Sequence, residues 1–187
     1  IGVTLYELLH VGLLEYVPFI ILLLALFTIS GGVRLTGTLV GTPIVNLSII
    51  LIGTFLASWM GTTGAAMLLI RPLINANKHR KNKVHVIVFF IFLVANIGGS
   101  LTPLGDPPLF LGFLKGVDFF WTTTAMFVPM LIMIFALSII FFVLDSYYLK
   151  KEGVKLEPQK DKVKLGIEGV FNLGLIIGVI ISVLISG

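Results

Sequence analysis

The sequence predicts an all-α polytopic membrane protein, in which transmembrane helices accompany one re-entrant helical hairpin and one discontinuous helix. Three observations carry that expectation. The 187 residues are 57% hydrophobic, with a mean hydropathy of +1.10 and 12% charged residues, against roughly 25% charged in soluble domains. Charge-free apolar runs recur at 16–33, 35–70, 84–105, 119–144 and 169–187, and a crossing needs about 20 such residues. Two of these runs are broken internally by glycine, proline and small polar residues, which end helices or deprive them of an N–H.

Residues 16–33 read as a plain span, with Pro18 near its start and Gly31-Gly32 closing it. Residues 44–76 are too long for one straight crossing. At 1.5 Å per residue they would extend about 50 Å, beyond a hydrocarbon core of about 30 Å. Division at Gly61-Thr62-Thr63-Gly64 gives two legs, 44–60 and 65–75, each too short to cross alone. A re-entrant hairpin returning to its side of entry satisfies both constraints. Residues 84–115 form one crossing in two half-helices around the stretch from Ala95 to Pro108. Phe119, Phe120 and Trp121 suit an interfacial aromatic belt on the far face. Residues 122–149 return, with Tyr147-Tyr148 as a second belt, and 166–187 begin another crossing. The chain opens on Ile1 rather than Met and stops within an apolar run at Gly187, so it is expected to be part of a longer product.

Charge supports this path. Lys78, Arg80, Lys81 and Lys83 form one cluster, and Lys150, Lys151, Lys155, Lys160, Lys162 and Lys164 form another. Both lie in connections that the path puts on one side, as the positive-inside bias requires. Only Lys115, of thirteen basic residues, falls opposite. The net charge of +4 therefore does not point to nucleic acid, for which a basic folded face is missing. No cysteine is present, which excludes disulfides and thiolate sites. No Ser/His/Asp grouping, H-E-x-x-H motif or mid-depth acid pair points to an enzyme, and no cofactor is expected. Membrane lipid is the expected surrounding partner. His79, His85, His10, Glu7, Glu15 and Asp145 read as solvated or interfacial.

The two breaks are the candidate site. Unwound backbone at membrane depth is tolerated only where protein or a water-filled cavity covers it. Paired interrupted segments are the sequence pointer to a transporter's binding site. Around Gly98 and Gly99, free carbonyls with the oxygens of Asn96, Ser100 and Thr102 are hard ligands suited to Na⁺. Asp106 precedes Pro107-Pro108 and could cap the second half-helix. An acid at membrane depth costs about 2.5–3.5 kcal/mol on insertion scales, which also suggests a functional role. At the hairpin tip, Thr62 and Thr63 could cap the returning leg or face a solute at its N-terminal end, near Gly64.

The stretch Ala95-Asn96-Ile97-Gly98-Gly99 through Thr102-Pro103-Leu104-Gly105-Asp106-Pro107-Pro108 resembles the signature of the ion transporter superfamily. That group includes D-type sodium/proton antiporters, citrate and dicarboxylate transporters, arsenite permeases and the melanosomal P protein. The resemblance implies half of an inverted-repeat transporter with a hairpin and a broken helix in each half. Residues 1–165 would belong to the first repeat and 166–187 to the first helix of a truncated second. It further implies a homodimer when full length, an elevator motion and a bacterial inner membrane location. The dicarboxylate carriers have Ser-Asn-Thr at the hairpin tip, whereas this chain has Gly61-Thr62-Thr63; with Asp106 retained, the cation/proton side of the group is favoured. The expected activity is thus Na⁺/H⁺ antiport, with Asp106 exchanging H⁺ for Na⁺ and Asn96, Thr62 and Thr63 as neutral ligands. Cation-coupled uptake of citrate or a dicarboxylate, or arsenite-type permeation, is the alternative. Half a transporter supplies half a site, so the chain alone is expected to insert without transporting.

Overall fold

The computed structural model describes residues 2–153 and 166–186, with Lys155, Lys160, Lys162 and Lys164 of the second basic cluster outside them. Of the described residues, 78% are helical. Helix α1 (Gly2–Val11) continues through a π-helical turn (Gly12–Tyr16) into α2 (Val17–Gly31). The first apolar helix thus starts well before the expected residue 16. Helices α3 (Pro43–Met60) and α4 (Thr62–Ala76) follow, then α5 (Val84–Leu93), a 3₁₀ turn (Ile97–Leu101), α6 (Pro107–Leu114), α7 (Trp121–Glu152) and α8 (Val170–Ser186). Among the described residues, four stretches are long and apolar enough to cross a membrane: Gly2–Gly31, Pro43–Met60, Val84–Leu101 and Trp121–Glu152; at 18 residues Pro43–Met60 corrects the expectation that the first hairpin leg is too short to cross. The protein is a helical polytopic membrane protein.

Local chemistry sets these boundaries. Thr42 accepts a 3.2 Å hydrogen bond from Val45 N, with Pro43 in the first turn, so α3 starts with a capped end and a residue whose missing N–H is not needed there. Helix α7 stops at Gly153, whose φ of 60° gives the left-handed turn common after a helix. The all-α expectation needs one correction. Two short strands, β1 (Arg34–Thr36) and β2 (Gly166–Glu168), pair antiparallel with Leu35 opposite Ile167. Residues 166–168 were expected to open a helix, but the ribbon satisfies their backbone and α8 begins only at Val170.

Helices α3 and α4 run back along each other. Gly41 N–H reaches Ala76 O at 2.9 Å at one end, and Gly61 alone joins them at the other. The principal core lies among α3, α4, α5 and α7, where Ile50, Leu73, Val86, Leu93, Val94 and Phe141 are buried. A second core joins α2, α6 and α8 through Leu22, Leu26, Leu104, Phe110 and Val183. In lipid no hydrophobic force separates these faces from their surroundings, so association rests on close packing at small residues. Gly53 is such a point: a β-carbon there would lie 2.8 Å from side-chain atoms of Leu69 and Val94. Phe127, Val128, Leu131, Ile132 and Phe135 of α7 remain exposed, as a lipid-facing surface would be.

Candidate functional site

The hairpin break is tighter than the four-residue tip the sequence suggested. Only Gly61 is non-helical, at φ 80°, ψ 149°, where a side chain would be strained. Thr62, Thr63 and Gly64 already belong to α4, because first-turn N–H groups have no intrahelical partner to lose. Neither threonine caps the helix: Gly61 occupies the cap position and no side chain bonds there. Thr62 N–H instead donates to Gly105 O at 3.2 Å. That bond ties the hairpin tip to the second break.

In the second break α5 ends at Leu93, and the chain passes through the 3₁₀ turn and extended residues before α6 begins at Pro107. Its backbone packs against itself and the hairpin. A β-carbon on Gly105 would sit 2.2 Å from Gly99 O, one on Gly99 2.7 Å from Thr62 Cγ2, and one on Gly98 2.6 Å from Thr54 O. Hydroxyls stitch the same region: Ser58 donates to Gly98 O and Thr102 to Ser58 O, while Thr122 and Thr123 both donate to Leu101 O, at 3.0 and 2.6 Å. Gly105→Ala is therefore expected to force the two breaks apart, at a cost of about 1–3 kcal/mol for an overpacked contact. A lower melting temperature in detergent would register it, and wild-type melting would contradict the packing described.

These contacts leave a small cleft lined by Gly61, Thr62, Thr63, Gly105, Asp106 and Pro107, with Phe19, Leu22, Leu26 and Phe110 as its apolar wall. Its volume is about 30 Å³, enough for one water-sized ion and far below the roughly 300–1,000 Å³ of pockets for organic ligands. Asp106 occupies the cap position of α6 without making the capping bond. Among the described residues, its carboxylate and the hydroxyls of Thr62 and Thr63 bond no other side chain or backbone group. One carboxylate and two hydroxyls are thus uncommitted at the point where the breaks meet.

The remaining sequence-predicted residues lie outside that lining. Asn96 is exposed and donates to Ile91 O at 2.8 Å. Ser100 donates to Ile97 O at 2.8 Å, and Thr102 is buried and committed to Ser58 O. Gly98 and Gly99 are buried packing points, and Gly64 lies against Ser30, whose Oγ would be 2.5 Å from an added β-carbon. The structure brings Thr62, Thr63 and Asp106 together, and the others frame them.

A second polar cluster was not anticipated. Asp145, read as reaching the interface, is fully buried. Its Oδ1 meets Arg80 Nη1 at 2.5 Å and His85 Nε2 at 2.7 Å, and its Oδ2 accepts from Asn46 Nδ2 at 2.9 Å. Asn46 and Asn77 exchange side-chain hydrogen bonds of 3.0 and 2.7 Å. Arg80 also reaches Gly41 O and Asp145 O, and Tyr148 stacks on His85 with ring centres 4.9 Å apart. Arg80 and His85 are therefore not solvated loop residues; they join α3, the end of α4, α5 and α7. His79 is exposed, as expected. The missed signal was Asn46 and Asp145 within apolar helices, since a polar group buried there needs a partner.

Residues 1–187 match a family model described as "Putative citrate transport". Comparison with curated proteins and with solved structures gave no match.

Proposed function

Because the chain belongs to this citrate-transport family, whose model matches residues 1–187, we propose that its membrane transport is secondary and driven by a cation held at Asp106, Thr62 and Thr63. The observation carrying this reading is the uncommitted carboxylate beside two uncommitted hydroxyls in a cleft of ion size. Oxygen donors with one negative charge are hard ligands that suit Na⁺, and the same carboxylate can take H⁺ instead. Asn96 could join such a shell through its carbonyl oxygen after local rearrangement. Exchange of the two ions at one acid is Na⁺/H⁺ antiport, the first reading.

The family match favours a second reading, citrate carried with the same cation. Asp106 is the only charged residue lining the cleft among the described residues, so a tricarboxylate bound outside the cleft but near Asp106 would need the cation to offset repulsion. Everted vesicles containing the full-length gene product separate the two. Antiport predicts Na⁺-dependent proton movement without citrate, whereas citrate transport predicts cation-dependent uptake of labelled citrate. Neither flux above that of empty vesicles would overturn the proposal.

In the membrane, we place α3 and α4 as a re-entrant hairpin and the segment from α5 to α6 as one interrupted crossing. Lys81 then lies on the cytoplasmic side and Val117 opposite. A single cysteine at Val117 is expected to react with an impermeant thiol reagent in spheroplasts, and one at Lys81 to react only after lysis. Labelling of intact spheroplasts at Lys81 would reverse this path. The homodimer and inner-membrane location implied by the superfamily resemblance belong to the same proposal.

A further inference from the structure

Away from the cleft, a larger cavity of about 570 Å³ opens between the β1–β2 ribbon and α4. Its walls include Arg34 and Thr36 of the ribbon, Arg71 and Asn75 of α4, and the apolar Leu35 and Met67. Met67, Arg71 and Asn75 are four residues apart on α4 and so share one face. Among the described residues neither guanidinium forms an ion pair or a side-chain hydrogen bond. Glu168 sits opposite Arg34 in the ribbon register and also lines the cavity, yet makes no ion pair with it. Two cations against one acid leave the walls with a net positive charge.

We infer that this cavity is an oxyanion site, in which Arg34 and Arg71 grip a phosphate group and the Asn75 amide supplies a further donor. The planar fork of an arginine matches phosphate geometry through paired N–H donors. Arginines from two different elements can address separate oxygens of one group. The volume lies in the range of small-ligand pockets, and the apolar wall beside the charges suits a headgroup whose acyl chains run along the protein. Basic pockets between membrane helices are known to hold anionic lipid headgroups. Free phosphate would use the same donors without the apolar wall.

Purified protein would be melted in nanodiscs of phosphatidylcholine alone or with phosphatidylglycerol, and separately in detergent with inorganic phosphate. Phosphatidylglycerol is expected to raise the melting temperature of the wild type. Arg34→Gln and Arg71→Gln should each weaken the response about tenfold in ligand concentration, the loss of a charge-assisted contact. Glu168→Gln should strengthen it, a result no loss of folding produces. A response to inorganic phosphate equal to that of the lipid, and equally sensitive to the arginines, assigns the site to a free anion. Responses that ignore all three substitutions, or no response in either arm, would overturn the inference. Because Asp106 takes no part, loss of transport activity and failure here are independent results.

Discussion

Replacing Asp145 with alanine is expected to cost about 3–5 kcal/mol of stability, against roughly 5–15 kcal/mol in total for a folded domain. The carboxylate is fully buried and serves three partners on three other elements: Arg80 after α4, His85 on α5 and Asn46 on α3. Its removal leaves a guanidinium that is itself 3% exposed without its counter-charge, and an uncompensated buried charge is the expensive outcome. Asp145→Asn should be nearly as harmful, since the shape survives but the charge does not. Arg80→Lys should lie between, because an ammonium cannot reproduce the spread of donors that Arg80 presents to Gly41 O, Asp145 O and the carboxylate. Removing both charges, as Arg80→Met with Asp145→Leu, should recover part of the loss, since an apolar pair of similar volume often replaces a buried ion pair without penalty. Thermal unfolding in detergent, followed by the fluorescence of Trp59 and Trp121, measures each step. Melting of Asp145→Ala within a degree or two of the wild type would show that the network contributes little.

That network also shows what one-dimensional reading could and could not reach. The turn between α3 and α4 was visible because its cause is local: glycine inside an apolar run too long for one crossing marks a turn, and Gly61 is where the chain turns. The difference there is one of extent. Thr62 to Gly64 are poor residues for a helix interior but acceptable in a first turn, so the interruption shrinks to one residue. The second break was visible for the same reason, and its glycines are contact points as much as flexible ones. Arg80, His85 and Asp145 were misassigned because each, judged by its neighbours, looks like the basic or interfacial end of a span. Asp145 is 60 residues from His85 and 99 from Asn46, and no spacing rule joins residues so distant. The ribbon of β1 and β2 was missed likewise, since three-residue strands carry no periodicity and exist only by pairing across 130 residues.

The opposite outcome is expected at the cleft. Asp106→Asn in the full-length gene product should reduce cation-driven transport to the level of empty vesicles while leaving the melting temperature unchanged. The carboxylate makes no capping bond and no ion pair among the described residues, so folding loses nothing when its charge is removed, and Asn is as good as Asp at a helix start. A site meant to bind and release an ion requires this: a carboxylate already neutralised by arginine, as Asp145 is, has no charge left to offer. Asp106→Glu keeps the charge but moves it by a methylene in a cleft of about 30 Å³, so partial activity with a shifted Na⁺ dependence is expected. Thr62→Val and Thr63→Val preserve shape and remove one oxygen each. Each should raise the Na⁺ concentration for half-maximal transport about fivefold, near the worth of one hydrogen-bond-like contact of about 1 kcal/mol. Full activity of Asp106→Asn would move the cation elsewhere. A fall in both activity and melting temperature would make Asp106 a structural residue.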